Sequence, residues 1–455
     1  MAAPTRHGRE CSEGAREVRV GGCDLARLAA EYGTPLYAYD EDGLRDTCRQ
    51  FLSAFRAQWP QAEVAYACKA FAVGAMIRLA LSEGLGLDVA SVGELDLATS
   101  AGAAGDAITF HGCYKTVADL EAAVRAQVGH VVIDSLGEID DLIAVTTRLN
   151  RTQPVLIRIN PEVDVRTDTR YRAGGADSKF GLPVGDESAR RAAERVLASP
   201  RLRLDGVHFH LGSQIMTAEP YLEAIERTAC FVADLRSRHS WAPHRVILGG
   251  GMGVAYDPGQ VVPTPRQWAA VLGGAFRDRL APLCASQPVL GIEPGRAAVA
   301  DHGVIAYTAG VVKRQAGRPG RTLVVVDGGL SDNPRPLMYS ARHQVRNVSA
   351  GARAAAEAPP AADAVTTDIY GRHCETDLLF SDVVLPDIRR GDVLAVLTAG
   401  AYTHCMASNY NRFYRPAVVF AADGASRLVV RRETSTDLLR CEQPPRLGAV
   451  REVAI

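Results

Sequence analysis

The chain has 455 residues, and its 51 lysines and arginines nearly balance its 52 aspartates and glutamates, leaving a formal net charge of −1. This length suits two domains, and the balanced charge excludes the basic surface typical of proteins that bind nucleic acid or an anionic membrane. No apolar run is long enough to span a bilayer, and the start MAAPTRHGRE lacks the apolar region of a secretory signal, so we expect a soluble, cytoplasmic protein.

The ten cysteines are scattered along the chain. They form no CxxC pair and no cluster with histidine at zinc-binding spacing. This pattern is typical of reduced thiols packed in an interior, and it predicts neither a disulfide framework nor a metal site.

The first part of the chain predicts a (β/α)8 barrel over residues 38–300. After a polar leader, a short helix DLARLAAEYG and a strand TPLYAYD, apolar strands alternate with amphipathic helices eight times. The predicted strands are EVAYACK, GLDVAS, AITFHG, HVVIDS, QPVLIRI, LDGVHFHLG, HRVILGGG and VLGIEPG.

The rest of the chain predicts a second, β-rich domain. Residues 301–455 contain the runs HGVIAYTAGVVKRQ, RTLVVVDGG, DVLAVLTAGAY and AVVFAADGASRLVVRR, which favour a mainly antiparallel sheet that residues 1–37 join. A stretch rich in Ala, Pro and Gly between His343 and Thr367 is expected to be a surface excursion.

Polar residues and glycines stand where the barrel strands end, which is where such barrels carry their active sites. These residues are Lys69, Asp88, Ser91, His111, Arg158, His210, Gly249, Gly250, Gly251 and Glu293. Lys69 follows a β-rich run and is flanked by apolar residues, so we expect a half-buried amine with a lowered pKa that can attack an aldehyde. An ordinary surface lysine is the alternative.

Three further features favour one cofactor. The run Gly249 to Gly253 is typical of turns whose backbone binds phosphate, and Glu293-Pro294-Gly295-Arg296 offers an arginine for an anion and a carboxylate for a protonated ring nitrogen. His210 is placed to stack on a planar ring; the alternatives are a buried Glu293–Arg296 ion pair and a core histidine. Together with Lys69, these groups specify pyridoxal phosphate.

The motifs YGTPLYAYD, YACKAF, DVASVGELDLA, FHGCYK, DSKFG, HFHLGSQI, GGGMGVAY, EPGR, DGGLSDNPRPLMY, HCE and AGAYTHCMASNYN run over nearly the whole chain. In this order they resemble the pyridoxal-phosphate decarboxylases with an alanine-racemase-like barrel, and most of all those that act on diaminopimelate. The resemblance implies α-decarboxylation of meso-2,6-diaminopimelate to L-lysine and carbon dioxide, a step of lysine biosynthesis.

The resemblance also implies roles for the site residues. Lys69 forms the Schiff base with the cofactor, His210 stacks on its ring and Glu293 faces its nitrogen. The phosphate end is assigned to Ser213, Gly249, Gly250, Gly251, Gly295 and Arg296, with Tyr402 nearby. Cys374 donates a proton to the α-carbon and comes from the other subunit, so the active unit is expected to be a homodimer.

Substrate binding is assigned to residues of both domains. A distal carboxylate suits Arg335 and Tyr339, with help from Arg296 and Tyr402, whereas Glu375 suits a distal amine. An enzyme for ornithine or lysine has little use for Arg335.

Two departures from the family pattern leave alternatives open. Cys374 is followed by Glu-Thr-Asp where the family commonly has Glu-Ser-Gly-Asp, and Cys113-Tyr114 replaces two asparagines. The alternatives are a decarboxylase of the same fold for ornithine, arginine, a carrier-bound glutamyl group or another specialised substrate, and a silent homologue that only binds partners. The presence of Lys69 and Cys374 argues against the silent homologue, and Glu293 argues against an amino-acid racemase, in which an arginine is expected at that position.

Overall fold

A computed structural model of the chain describes residues 17–443, apart from residues 166, 168, 258, 315–319, 350–364 and 387. The strands β1 to β20 are Arg19–Val20, Cys23–Asp24, Leu36–Asp40, Ala62–Ala67, Gly86–Val89, Ile108–Phe110, His130–Ile133, Gln153–Asn160, Leu182–Pro183, Leu202–His208, Arg245–Ile247, Val289–Ile292, Gly303–Arg314, Arg321–Val326, Val345–Asn347, Val365–Tyr370, Leu378–Leu385, Val393–Val396, Ala417–Ala422 and Ala425–Val430.

The helices α1 to α12 are Leu25–Tyr32, Glu41–Gln58, Gly74–Ser82, Val92–Ser100, Val117–Arg125, Leu136–Arg148, Ser188–Leu197, Glu219–His239, Pro265–Ala275, Arg296–Val299, Arg335–Tyr339 and Ser435–Leu439. Within the described ranges, no helix is both long and apolar enough to cross a membrane. Most of the predicted excursion between His343 and Thr367, and most of the leader, lie outside the described residues.

The predicted (β/α)8 barrel is confirmed. Strands β4, β5, β6, β7, β8, β10, β11 and β12 pair in this order, and β12 pairs with β4 to close the ring. All eight of these pairings are parallel. These strands are the eight predicted from sequence, and their parallel arrangement places all their carboxyl ends at one rim.

Local sequence explains why strands and helices alternate here. Most residues of the barrel strands are buried, and Val, Ile and Leu are frequent among them, as expected for parallel strands covered on both faces. Several of the helices that follow begin at a hydroxyl cap: Ser91 and Ser135 each accept a hydrogen bond from the third residue of their helix, and Thr116 and Thr264 form full capping boxes.

The second domain is the predicted mainly antiparallel β domain. Its sheet runs in the order β17-β16-β14-β13-β3-β19-β20, and β18 and β15 join it beside β13. The pairs β14–β16 and β3–β19 are parallel, whereas the other pairs are antiparallel.

The junction between the barrel and the sheet is an apolar core. The Tyr39 ring on β3 stacks on Phe71, which follows the first barrel strand, at a centroid distance of 4.0 Å, and it packs near Phe420 on β19. The predicted domain boundary at residue 38 falls inside β3, all of which pairs in the second sheet. The division into two independent domains stays a prediction.

Candidate active site

A cavity of about 290 Å³ lies at the carboxyl ends of the barrel strands. The predicted site residues that line it are Lys69, His210, Ser213, Gly250, Gly251, Glu293, Gly295, Arg296, Arg335, Tyr339 and Tyr402. Residues from Lys69 to Tyr402, more than 300 positions apart in the chain, thus meet in one pocket. Those of the barrel meet because parallel strands end at the same rim.

Lys69 projects into this cavity from a short 3-10 turn, Cys68–Ala70, which directly follows β4. Its side chain is 43% exposed, although Cys68 and Ala70 on either side are buried. The amine Nζ donates to Asp88 Oδ2 at 2.5 Å. The amine is therefore accessible from the cavity and is held by a carboxylate from the next barrel strand.

The expected lowering of the Lys69 pKa is wrong. Burial does lower the pKa of this amine, but the charge and hydrogen bond of Asp88, with further contributions from Tyr402 and Glu293, raise it above its ordinary value overall. The bond to Asp88 favours the charged form more strongly than desolvation opposes it. In this structure Lys69 is an ammonium at neutral pH.

A pH dependence follows from this pairing. Only the neutral amine attacks an aldehyde, so the apoprotein is expected to take up pyridoxal phosphate faster as the pH rises from neutral to alkaline. Asp88→Asn removes the carboxylate, lowers the Lys69 pKa and is expected to move this rise to lower pH. Stopped-flow absorbance measures the uptake rate, with Asp96→Asn, an exposed aspartate on α4, as the control. If the pH profile of cofactor uptake in the Asp88→Asn protein matched that of the unmodified protein, Asp88 would not be the group that raises the Lys69 pKa.

Glu293 lies at the end of β12 and is buried. Its two oxygens meet His111 Nε2 and His208 Nε2, each at 3.0 Å. Burial alone would raise the pKa of this carboxyl, but the two histidines hold it well below its ordinary value. The ligand atoms of the three residues lie within 4.8 Å of one another, close enough to hold a cation, and both 3.0 Å distances fit N–H···O hydrogen bonds. The expectation of no metal stays a prediction.

His210 stands two residues beyond the end of β10 and lines the cavity. Its Nδ1 accepts a hydrogen bond from the Gly250 amide at 3.3 Å, which orients the ring. Burial and the charge of Lys69 lower the His210 pKa well below its ordinary value. The ring is therefore neutral at neutral pH.

The glycine-rich turn after β11 permits a close approach of the barrel strands. A Cβ on Gly250 would lie 2.0 Å from the Glu293 carbonyl oxygen, and one on Gly251, whose φ is +111°, would lie 2.5 Å from the Gly212 carbonyl oxygen. Larger residues are excluded at both positions. Gly250 and Gly251 line the cavity, whereas Gly249 lies directly before them, outside its lining.

Arg296 and Ser213 form a polar cluster beside these glycines. Arg296 is buried at the start of α10 and donates through Nε and Nη2 to Ser213 Oγ, each at 3.1 Å. Its Nη1 donates to the Tyr256 hydroxyl at 2.7 Å. Because Arg296 binds these hydroxyls and Glu293 binds histidines, the alternative of a buried ion pair between Arg296 and Glu293 is excluded. The cluster is positively charged and suits an anion.

Arg335 forms a second basic group, farther along the cavity. It is 2% exposed, its Nη2 donates to the Tyr171 hydroxyl at 3.0 Å, and its guanidinium lies over the rings of Tyr339 and Tyr402 at 5.4 and 5.7 Å. Its Nε is buried without a hydrogen-bond partner among the described residues. A buried donor without a partner is costly, so this arginine is well suited to an anionic ligand group.

Tyr402 connects the two basic groups with Lys69. The Arg296 guanidinium lies 4.9 Å from its ring centre, and its backbone N–H donates to the carbonyl of Ala70, beside Lys69, at 2.8 Å. Its φ of +57° lies in the left-handed region, which is unfavourable for a tyrosine. Such backbone strain is often found at functional sites.

Cys374 and Glu375 lie outside the cavity of their own chain. Both are exposed on the loop between β16 and β17, where Cys374 N–H donates to Asn411 and Glu375 accepts from the Tyr410 hydroxyl at 2.6 Å. Within one chain the structure therefore does not bring them to Lys69.

Several polar residues that line the cavity were not assigned a role from the sequence, among them Asp88, His111, Arg158, Tyr171 and His208. The first three were identified as polar strand ends. His208 stands two residues before His210, and the alternation of side chains along a strand was the signal for it. Tyr171 comes from an irregular segment after β8, and no sequence pattern indicated it.

A (β/α)8 barrel with a lysine, a buried carboxylate and basic groups at its carboxyl rim offers the groups that pyridoxal phosphate needs. A family model described as "Pyridoxal-dependent decarboxylase, pyridoxal binding domain" matches residues 44–300. The chain therefore belongs to the pyridoxal-dependent decarboxylase family, whose cofactor is pyridoxal phosphate.

Individual relatives agree with this assignment. The chain is 43% identical to a diaminopimelate decarboxylase of Actinosynnema pretiosum, a match that covers 94% of this chain and 92% of that protein. It is 38% identical to the enzyme of the same name from Bacillus subtilis, with 97% and 99% covered. Among solved structures, diaminopimelate decarboxylase from M. jannaschii in complex with L-lysine matches with a TM-score of 0.85 and 30% identity over 94% of this chain and 96% of that chain.

Proposed function

We propose that this protein removes one carboxylate from meso-2,6-diaminopimelate with the help of pyridoxal phosphate, and so produces L-lysine and carbon dioxide. The single observation that carries this proposal is the buried Arg335, whose Nε has no hydrogen-bond partner among the described residues. A substrate with a second carboxylate far from its reacting carbon supplies that partner. The names of the relatives, and the L-lysine bound in the M. jannaschii structure, support the same substrate.

The residues of the cavity fit the cofactor. Lys69 offers the amine, Glu293 an anionic carboxylate for the ring nitrogen, and Arg296 with Ser213 and the glycines a cationic end for the phosphate. No Cβ fits at Gly250 or Gly251, because the carbonyl oxygens of Glu293 and Gly212 lie against these positions, so the glycines let the strand ends pack closely beside Ser213 and Arg296. When bound, pyridoxal phosphate supplies an electron-withdrawing ring that stabilises the electron pair left as carbon dioxide departs.

The protein's own groups then perform four tasks. Asp88 holds the Lys69 ammonium at 2.5 Å until the cofactor binds. Glu293 remains ionised and keeps a proton on the cofactor's ring nitrogen. Arg335 binds the distal carboxylate, and its buried position fixes how far that carboxylate lies from Lys69. Cys374 delivers a proton to the α-carbon.

The position of Cys374 supports a homodimer with shared active sites. Since Cys374 and Glu375 are exposed and lie outside the cavity of their own chain, a second copy of the chain is needed to bring them to it. We also propose a cytoplasmic location, because the nine cysteines in the described part of the chain are all free, as in a reducing compartment.

A second candidate function is decarboxylation of another amino acid on the same fold. Cys113 and the segment Arg170, Tyr171 and Arg172 line the substrate end of the cavity. Arg172 is already paired with Asp164 at 3.1 Å, so the observation that favours a different substrate is Cys113, which stands in this lining where the family commonly has an asparagine.

The role of Arg335 is tested by Arg335→Met, which keeps most of the side-chain volume and removes the charge. Loss of a charge-assisted hydrogen bond costs about 1.5–3 kcal/mol, so KM for meso-diaminopimelate is expected to rise about 10- to 100-fold with a smaller change in kcat. Arg390→Met, at an exposed arginine of the β domain, is the matched control. An unchanged KM in a folded Arg335→Met protein would rule out the distal-carboxylate role.

The choice between the two candidate functions rests on a comparison of substrates. Carbon dioxide release is measured with the loaded protein and meso-diaminopimelate, lysine, ornithine or arginine in separate reactions. Release from meso-diaminopimelate alone is expected. Release from lysine, ornithine or arginine instead, or silence on all four from a protein that holds the cofactor, would favour the second candidate function.

A further inference from the structure

Glu293 is held by two histidines from different barrel strands. His111 follows β6, and its Nε2 donates to the ionised Oε1 at 3.0 Å, while His208 ends β10 and its Nε2 lies at the same distance from Oε2. The exposed fractions of the three side chains are 7%, 1% and 6% for His111, His208 and Glu293. Both oxygens of the carboxylate are thus fixed by the protein, one by each ring.

The electrostatics show which partner carries the proton. Burial lowers the pKa of His208 to about 4, so its ring is neutral at neutral pH. A neutral imidazole donates through one nitrogen, and because Glu293 is ionised, the proton of His208 lies on Nε2. His208 Nδ1 is buried and has no hydrogen-bond partner among the described residues, which agrees with this tautomer.

The other charges around this cluster are already paired. Asp88 Oδ1 lies 3.7 Å from His111 Nε2, but the second oxygen of Asp88 holds the Lys69 amine. Arg158 pairs with Asp134 at 3.2 Å. Hence neither Lys69 nor Arg158 pairs directly with Glu293, and the hydrogen bonds of its carboxylate in the described structure come from the two imidazoles.

The identity of these two donors matters for the charge that Glu293 presents. An arginine or lysine in their place would orient the carboxylate but would also cancel its charge. His208, whose ring is neutral, supplies a hydrogen bond without a positive charge, so this bond does not cancel the negative charge of Glu293 in the desolvated pocket. A carboxylate has about four acceptor positions, so two remain free after both histidines have bound.

We propose that His111 and His208 are positioning residues that hold Glu293 in the orientation and charge state in which it keeps the cofactor's ring nitrogen protonated. This inference rests on the proposed function, since it takes Glu293 to face that nitrogen. The two histidines do not touch the reacting atoms and act through Glu293. A merely structural role, in which they only satisfy a buried carboxylate, would leave the cofactor's protonation unchanged when one of them is replaced.

The test measures protonation of the cofactor's ring nitrogen directly. The protein is loaded with isotope-labelled pyridoxal phosphate, and the NMR chemical shift of the ring nitrogen reports whether it carries a proton. His208→Leu removes the donor, whereas His208→Gln keeps an N–H in a similar place. We expect a protonated nitrogen in the unmodified protein, a shift toward the unprotonated form in His208→Leu with kcat lowered about tenfold or more and KM little changed, and recovery of both in His208→Gln.

A second pair of variants covers the case in which His208→Leu does not fold. His111 is slightly more exposed and lines the cavity, so His111→Leu and His111→Gln probe the other oxygen of Glu293 in the same way. A ring nitrogen that stays protonated in the folded leucine variants would overturn the inference.

The same experiment separates this inference from the proposed function. An unprotonated nitrogen in the unmodified protein would overturn the role of Glu293 and the inference with it. A nitrogen that responds to the variants, in a protein that releases no carbon dioxide from any of the four amino acids, would leave the inference standing while the proposed substrate fails.

Discussion

Replacing Lys69 with alanine is expected to abolish carbon dioxide release and the visible absorption of the bound cofactor together. In the cavity described here, Lys69 is the amine that Asp88 orients at 2.5 Å. Two other lysines stand near this rim: Lys115 is engaged with Glu138 and with the carbonyls of Gly112 and Val132, and the exposed Lys179 lies over the ring of Phe180. Without a covalent attachment point the rate should fall by several orders of magnitude.

The matched control for this prediction is Lys313→Ala. Lys313 is exposed near the end of β13 in the second domain, so its removal makes the same change of charge away from the cavity. Absorbance spectra of the purified proteins and carbon dioxide release from meso-diaminopimelate are the two measurements. A Lys69→Ala protein that is both coloured and active would refute the assignment of this lysine.

Replacing Cys374 with alanine is expected to reduce carbon dioxide release without removing the visible absorption of the bound cofactor. The visible absorption of the cofactor should persist, because Cys374 lies outside the cavity of its own chain, whereas kcat should fall about 10²- to 10⁴-fold through loss of a positioned proton donor. Cys230→Ala, at an exposed cysteine on α8, is the control. Normal turnover in the Cys374→Ala protein would mean that another group delivers the proton.

If active sites are shared between subunits, the Lys69→Ala and Cys374→Ala proteins should restore activity to each other. When the two inactive proteins are mixed and allowed to exchange subunits, half of the dimers are mixed and each contains one intact site. About a quarter of the unmodified activity should therefore return. No recovery, in a mixture shown to contain mixed dimers, would mean that Lys69 and Cys374 act within the same chain.

The barrel and its rim were predictable because their signals are local. Each strand is a short apolar run that ends at a polar residue or a glycine, and parallel strands place those ends together. Lys69, Glu293 and Arg296 were found in this way, although hundreds of positions separate the first from the others. The family motifs then added Arg335 and Tyr402, which lie outside the eight strands.

The pairings inside the site were not predictable in the same way. Asp88 raises the pKa of Lys69 because the two side chains meet at 2.5 Å across neighbouring strands, and the sequence contains no measure of that distance. The histidines around Glu293 come from strands far apart in the chain. Tyr171, which contacts Arg335, lies in an irregular segment whose course depends on the residues it packs against.

The strands of the second domain were also only partly predictable from the sequence. Strands β13, β14, β18, β19 and β20 follow predicted runs, but β15, β16 and β17 were not recognised, since their apolar residues alternate with charged and polar ones such as Arg346, Thr366 and Asp382. Strand β3 pairs with β13 and β19, which lie more than 260 positions later in the chain. Local sequence therefore did not show that the whole strand belongs to this sheet.

The central claim is tested most directly by measuring the products formed from meso-diaminopimelate. The protein is loaded with pyridoxal phosphate, excess cofactor is removed, and carbon dioxide and lysine are quantified, with the chirality of the lysine determined. The account predicts equal amounts of carbon dioxide and L-lysine. A folded, cofactor-loaded protein that releases no carbon dioxide from this substrate would contradict it.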